Sequence, residues 1–212
     1  MLKLRSKQIN EVIHFYNDRK HAIRKRLKDF SEVQPAQYFY ELVYCFLTPQ
    51  SSAEHAEQVV SLLRTAGFQN NNVNPEPFLR RKVCYIRFHK TKSRHLLHMK
   101  DQYHVISNKL LEPIDASESR EWLVKNVLGI GYKEATHFLR NIGKNDGLAI
   151  LDRHILRNLK RLGVIKSIPK SLSKKHYLNI EKRFSIFADE IGITLDELDL
   201  VFWSMKTGVI RK

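Results

Sequence analysis

The chain has 212 residues, 42% of them hydrophobic, and its 37 Lys and Arg against 22 Asp and Glu give a formal net charge of +15 at pH 7. This length suits one compact domain or two small ones. The excess of positive charge favours a polyanionic partner, nucleic acid first, and a basic protein without such a partner is the alternative. No apolar run approaches the roughly 20 residues that a membrane-spanning helix needs, so we expect no membrane contact.

The cysteines and the N-terminus narrow the class of protein further. Cys45 and Cys84 are the only two cysteines, too few for a disulfide framework or for a four-cysteine zinc or iron–sulfur site. The N-terminal segment is too charged for a signal peptide. We therefore expect an intracellular, cytoplasmic protein that has no metal and no other cofactor.

Apolar residues recur at helical spacing along nearly the whole chain, and only the short segment "KVCYIRF" has the alternation of a strand. Capping residues, glycines and prolines mark where the helices begin and end. In chain order, helices are predicted over 7–30, 35–48, 51–67, 92–110, 115–128, 132–142, 152–162, 173–191 and 194–205. The pattern predicts an all-α fold of roughly ten helices.

One of the predicted breaks, in "LGIGYKEATHFLRNIG" (residues 128–143), separates two short apolar helices with Gly-x-Gly. Glycines permit a tight reversal of the chain. The backbone N–H groups and the dipole at the start of the second helix favour an anion such as phosphate. Gly129 and Gly131 are therefore candidate DNA-binding residues, and a plain helical hairpin with a glycine cap is the alternative.

Lys133 lies in the first turn of the second helix, where the helix dipole disfavours a cation, so local stability does not explain it. A positive helix end and partial burial both favour the neutral amine, which could attack a sugar C1′, expel the base and form a Schiff base. A solvated surface lysine is the alternative. Asp152, further along the chain, could take a proton or balance charge on an oxocarbenium-like sugar. It could also cap the next helix, and the two functions are compatible.

The segments "LVKNVLGIGYKEATHFLRNIG" and "LAILDRHILRNL" resemble the helix-hairpin-helix DNA glycosylase superfamily, with its catalytic lysine and downstream aspartate. "FLTPQSSAEHA", "YIRFHKTK" and the ending "FWSMKTGVIRK" are similar to its archaeal-type 8-oxoguanine DNA glycosylase/AP lyases. The resemblance covers nearly the whole chain. It implies two packed helical subdomains with the active-site cleft between them: 1–49 with 171–212, and 50–170 with the hairpin at about 119–143.

The resemblance also implies a function. An enzyme of this kind excises 8-oxoguanine from double-stranded DNA through a Schiff base on Lys133, with Asp152 assisting, and then cleaves the strand by β-elimination. Trp203 and the terminal Lys212 would recognise the damaged base, although Trp203 could be a core residue and Lys212 a frayed terminus. We expect a monomer. Two alternatives stay open: a hairpin module that binds DNA without catalysis, and a glycosylase for another damaged base.

The resemblance assigns four further residues to DNA. Phe88 would contact the opposite base, and Arg87 and Lys90 lie beside it in a basic segment. Gln50 would lie near the stack that the damaged base vacates. The alternatives are a core aromatic for Phe88 and a polar residue of a helix-opening turn for Gln50.

Overall fold

The computed structural model describes residues 2–210, with side chains from Ser6 onward. Within these residues there are eleven α-helices and no strand, which confirms the all-α prediction. In the same range, none of the helices combines the length with the apolar character that a bilayer crossing requires. The helices are α1 (Leu2–Ser31), α2 (Tyr38–Leu47), α3 (Ala53–Thr65), α4 (Glu76–Leu79), α5 (His89–Asp101), α6 (Tyr103–Leu111), α7 (Ala116–Asn126), α8 (Tyr132–Asn141), α9 (Arg153–Arg161), α10 (Lys174–Ile191) and α11 (Leu195–Thr207).

The segment "KVCYIRF" was the only candidate strand, and that prediction is wrong. Its first part, Lys82–Cys84, is a 3-10 turn. The alternation in the sequence does reflect burial, because Cys84 and Ile86 are buried whereas Val83 and Tyr85 are exposed. A strand also needs a neighbouring strand to take its backbone hydrogen bonds, and the described residues contain no strand that could pair with this segment.

The predicted helix 92–110 is two helices rather than one. Gln102, with φ −95° and ψ 2°, interrupts the α-helical backbone between α5 and α6. The break is followed by Tyr103, whose ring packs edge-on against Phe39 with the centroids 4.9 Å apart. Apolar periodicity alone did not reveal this break, because the ring contact of Tyr103 continues the apolar pattern across it.

The chain divides into two compact units. Residues 33–142 form the central unit, and the described residues before 33 and after 142 form the terminal unit. The subdomains expected from the sequence, 1–49 with 171–212 and 50–170, had other bounds. α2 packs against α3, α5 and α8, which places it in the central unit, and α9 packs against α11, which places it in the terminal unit.

The central unit is built around α2, whose ten residues are all buried. The carboxylate of Glu41 on this helix accepts a hydrogen bond from Asn141 Nδ2 at 3.2 Å. Tyr44 packs edge-on against His137, with ring centroids 5.8 Å apart. Both partners belong to α8. Because a buried carboxylate is stable only when it is hydrogen-bonded, these contacts fix α8, and with it the predicted hairpin, against the core.

The terminal unit joins α1 to α11 through a buried carboxylate. Glu197 Oε1 accepts hydrogen bonds from Tyr16 OH at 2.7 Å and from Arg24 Nε at 2.9 Å. Its Oε2 accepts the N–H of Thr194 at 3.1 Å, in the capping box that the sequence predicted. Burial alone would raise the pKa of Glu197, but these hydrogen bonds to the charged form outweigh burial and lower it. The ionised carboxylate therefore holds the first and last described helices together.

Candidate active site

The helix-hairpin-helix predicted from the Gly-x-Gly break is present as α7 and α8. Asp115 Oδ1 accepts the N–H of Glu118 at 2.7 Å and so caps α7, as the sequence predicted. Gly129 has a φ of +89°, and a Cβ there would collide with the imidazole of His95 on α5. A side chain at this position would meet both backbone strain and a collision, so the tight reversal depends on glycine.

Gly131 has a different environment from Gly129. Its backbone is extended, with φ −102° and ψ −179°, and it is the N-cap of α8, where no side chain caps the helix. A Cβ there would come within 3.1 Å of Glu134 Oε2. The first N–H groups of a helix have no partner within the helix, so an N-cap without a side chain leaves room for an anion. The phosphate contact itself stays a prediction.

Lys133 lies in the first turn of α8, with 23% of its side chain exposed. Its Nζ lies 3.4 Å from Glu134 Oε1, a partner that the sequence interpretation did not single out. Neighbouring helical residues normally point in different directions, yet these two side chains form an ion pair. Lys133 is therefore half-buried and paired, unlike a solvated surface lysine.

Gln50, Arg87, Phe88 and Lys90 all belong to the central unit and are all exposed. Phe88 has 54% of its surface exposed, so the alternative of a core aromatic is wrong. Gln50 lies in the turn that precedes α3. Ser51 Oγ accepts the N–H of Arg87 at 3.0 Å, which bonds the segment that carries Gln50 to the segment that carries Phe88.

Asp152 belongs to the terminal unit and begins α9. Its Oδ1 accepts the N–H of Ile155 at 2.7 Å, which confirms the predicted helix cap. His154 donates from Nε2 to the carbonyl oxygen of Phe202 at 2.6 Å, because a carbonyl can only accept. The ring of His154 lies 5.0 Å from that of Trp203. The sequence interpretation missed His154, although its place just after a candidate catalytic carboxylate was a signal.

Trp203 is half-buried on α11 and is not a fully enclosed core residue. Lys206 Nζ lies 5.4 Å from the centroid of its ring, within range of a cation–π interaction. Lys212, the other residue assigned to base recognition, lies outside the described residues. Within residues 2–210, no three His, Cys, Asp or Glu side chains stand close enough together to hold a metal ion.

Comparison with known proteins decides the family. The model of the family described as 8-oxoguanine DNA glycosylase matches residues 23–193. The chain belongs to the 8-oxoguanine DNA glycosylase family. Membership confirms the resemblance inferred from the hairpin and its flanking segments.

Relatives in this family come from bacteria and archaea. An 8-oxoguanine DNA glycosylase/AP lyase of Fusobacterium nucleatum is 36% identical, over 98% of this chain and 99% of its own length. One from Methanocaldococcus jannaschii is 35% identical, over 91% of this chain and 93% of its own length. The similarity therefore extends well beyond the hairpin to the rest of both chains.

Solved structures of the family agree with the fold. The crystal structure of the 8-oxoguanine DNA glycosylase of Thermotoga maritima covers 98% of this chain with a TM-score of 0.86 and 30% identity. The M. jannaschii 8-oxoguanine glycosylase/lyase, crystallised with a 15mer DNA containing 8-oxoguanine, covers 100% with a TM-score of 0.84 and 33% identity. These values confirm the fold expected from the resemblance.

Proposed function

We propose that this protein is a bifunctional DNA glycosylase/AP lyase that excises 8-oxoguanine from double-stranded DNA and cleaves the strand. The observation that carries the proposal is the position of Lys133, a half-buried amine at the start of α8, directly after the Gly-x-Gly turn. The same helix start favours phosphate, so one element can bind the backbone and present the nucleophile. Relatives that are 8-oxoguanine DNA glycosylase/AP lyases support both activities.

In the proposed reaction, the neutral amine of Lys133 attacks C1′ of the damaged nucleotide. The bond from C1′ to the base breaks, and its electron pair leaves with the base, which takes up a proton. The amine then loses one proton, the bond from C1′ to O4′ breaks as O4′ takes up a proton, and a protonated Schiff base forms. Removal of a C2′ proton then expels the 3′ phosphate by β-elimination. Asp152 accepts a proton from the amine or stabilises the oxocarbenium-like sugar. Before the attack, the ammonium of Lys133 must give up one proton to a base and leave its ion pair with Glu134.

The exposed residues of the central unit are the proposed contacts with the undamaged parts of the duplex. Extruding a base costs a few kcal/mol of unstacking, and the exposed Phe88 is an aromatic surface for the base that is left opposite. Gln50 fills the vacated stack. Arg87 and Lys90 supply positive charge to the phosphates.

The half-buried Trp203, beside His154 in the terminal unit, is the proposed stacking partner of the damaged base. Lys212 remains assigned to base recognition by the resemblance alone. An enzyme that repairs genomic DNA works with the chromosome, so we propose a cytoplasmic location. We further propose that it acts as a monomer.

Borohydride trapping tests the proposal, because it reduces a Schiff base to a stable amine link between protein and DNA. We expect the wild-type protein to form this adduct on a duplex that contains 8-oxoguanine. Lys133→Gln removes the nucleophile, so it should abolish the adduct, base release and strand cleavage while DNA binding stays. Lys125→Gln removes one positive charge from an exposed position of the same hairpin, and as a matched control it should still form the adduct.

Three outcomes would contradict the proposal. Normal cleavage by Lys133→Gln would remove this lysine from the mechanism. DNA binding without any adduct would favour a non-catalytic hairpin module. An adduct that forms only on other damaged bases, in a panel of oligonucleotides, would keep the chemistry and change the substrate.

A further inference from the structure

Lys92, on α5, is a lysine that the sequence analysis counted only as part of a basic segment, and it is buried. Only 7% of its surface is exposed. Its Nζ donates hydrogen bonds to the carbonyl oxygens of Leu47 and Pro49, each at 2.7 Å, and to Ser51 Oγ at 3.3 Å. An ammonium group has three protons, so each has an acceptor. Leu47 is the last residue of α2, and Pro49 and Ser51 lie in the turn that follows it.

This turn carries Gln50, and the residue just before α5 is Phe88. Both have left-handed backbones, with φ of 56° and 59°, and they are the two non-glycine residues of residues 33–142 with positive φ. Such conformations are strained in residues that have a side chain, and they persist only where surrounding contacts hold them. Two separate proposed contacts with DNA therefore share the same kind of strain.

Lys92 bonds both of these segments. Its side chain holds the turn of Gln50. Its backbone N–H donates to the carbonyl oxygen of Phe88 at 2.9 Å, in the first helical hydrogen bond of α5, which any residue at this position would make. Ser51 Oγ adds a second link, because it accepts both Lys92 Nζ at 3.3 Å and the N–H of Arg87 at 3.0 Å. The two strained residues are thus joined by a short chain of directional hydrogen bonds.

We propose that Lys92 is a positioning residue that fixes Gln50 and Phe88 relative to each other for insertion into DNA. This inference rests on the function proposed above. Burial of a charge is costly, and a well-packed apolar residue of similar volume would stabilise the fold as well or better. A buried ammonium at Lys92 is useful if the turn of Gln50 must be held in one conformation, because the ammonium donates hydrogen bonds to groups of that turn.

Charges nearby act on Lys92 in opposite directions. Burial lowers the pKa of Lys92 to about 8, and the positive charge of Lys133 acts in the same direction, whereas Glu134 raises the pKa. The three hydrogen-bond acceptors also favour the ammonium form. Lys92 and Lys133 are therefore close enough to interact, and a test must separate positioning of the DNA-contacting residues from an effect on the nucleophile.

Lys92→Met tests the proposal, because it keeps most of the side-chain volume and removes the donors. Lys100→Met is the matched control: Lys100 lies on the same helix, and its Nζ also donates to a loop carbonyl, that of Asn71. Two substrates are compared. A duplex with 8-oxoguanine requires base extrusion, whereas a single-stranded abasic oligonucleotide requires Lys133 but no extrusion. Fluorescence of 2-aminopurine beside the lesion reports extrusion directly.

For Lys92→Met we expect single-turnover excision from the duplex to fall at least about tenfold, because small misplacements near reacting groups cost this much or more. The 2-aminopurine signal should fall with it, while borohydride trapping on the abasic strand stays within a factor of about two, the range of ordinary surface substitutions. Lys100→Met should leave all three near wild type.

Unchanged excision by a folded Lys92→Met protein would overturn the proposal. So would an equal loss on both substrates, since Lys92 would then act on Lys133 or on folding. If Lys92→Met does not fold, Ser51→Ala weakens the same chain of bonds and should slow only the duplex reaction; equal rates for this variant and wild type would overturn the proposal. Wild-type protein that leaves 8-oxoguanine in the duplex would instead overturn the proposed function, and this inference with it.

Discussion

Asp152 combines a helix cap and a proposed catalytic carboxylate in one side chain. Its Oδ1 accepts the N–H of Ile155 at 2.7 Å, and the carboxylate has a second oxygen for the proposed chemistry. The two functions have different requirements. A cap needs an oxygen acceptor, whereas stabilisation of a positive sugar needs a negative charge. A substitution that keeps the acceptor and removes the charge can therefore separate them.

Asp152→Asn is that substitution. Asparagine caps helices as well as aspartate does, so the free energy of unfolding should change by less than about 0.5 kcal/mol. Excision should slow by roughly 100-fold or more, because the proton acceptor and the charge are lost. Asp152→Ala, as a comparison, should lose a further ~1 kcal/mol of stability with the cap. Urea denaturation and single-turnover excision measure the two effects, and a wild-type rate for Asp152→Asn would leave capping as the whole function of this residue.

Single residues differ in how visible they are in the sequence. The places of Lys133 and Asp152 in the fold could be predicted, because each stands at a local signal, a Gly-x-Gly break and a helix start; their functions stay a proposal. The contacts of Lys92 could not be predicted. The acceptors of Lys92 Nζ lie 41 to 45 residues away in the chain, and no local pattern predicts such a contact. The ion pair of Glu134 with Lys133 could not be predicted either, because adjacent residues of a helix do not normally face each other.

Among the helices, the hairpin formed by α7 and α8 depends on α5. The imidazole of His95 occupies the space that a Cβ at Gly129 would need. Lys92, on the same helix, is close enough to Lys133 for their charges to interact. The two glycines of the turn therefore have unequal importance. Gly129 has positive φ and His95 against it, whereas Gly131 has ordinary extended backbone and only a flexible carboxylate nearby.

Gly129→Ala should therefore be the more damaging of two matched substitutions. We expect it to lower the free energy of unfolding by about 1–3 kcal/mol through strain at positive φ, with the collision against His95 added. Gly131→Ala should cost at most about 1 kcal/mol, as an alanine at an N-cap does. Urea denaturation compares the two, and equal losses would show that the turn does not depend on the left-handed backbone at Gly129.

Most helices could be predicted because apolar periodicity and caps agree with each other, as they do for α7, α9 and α11. The break at Gln102 could not, because neither a glycine nor a proline marks it. The segment around Cys84 and Ile86 has a genuine alternation of buried and exposed residues, but a turn over a core satisfies that pattern as well as a strand does. Element type is thus ambiguous wherever a periodic segment is short.

For the whole molecule, charge is the property that most directly predicts behaviour toward DNA. Folding does not account for the formal net charge of +15, because self-repulsion of like charges opposes compaction. Phosphate neutralisation by Lys and Arg releases counterions from DNA, so the affinity of such a protein depends on the salt concentration. The effect of salt on DNA affinity does not involve the reaction at Lys133.

We therefore expect the affinity for duplex DNA to fall by roughly 10³–10⁵ between 50 and 200 mM salt, if about 6–10 phosphates are contacted. Replacing both Arg87 and Lys90 with Gln should reduce the slope of log K against log salt by about two, because each phosphate contact contributes about one. Lys28→Gln is the control, since the ammonium of Lys28 lies 3.6 Å from Glu32 and is already paired. Fluorescence anisotropy at several salt concentrations measures the slopes. An unchanged slope in the double variant would move the DNA-binding surface away from the segment that carries Phe88, because charges that release no counterions do not contact phosphates.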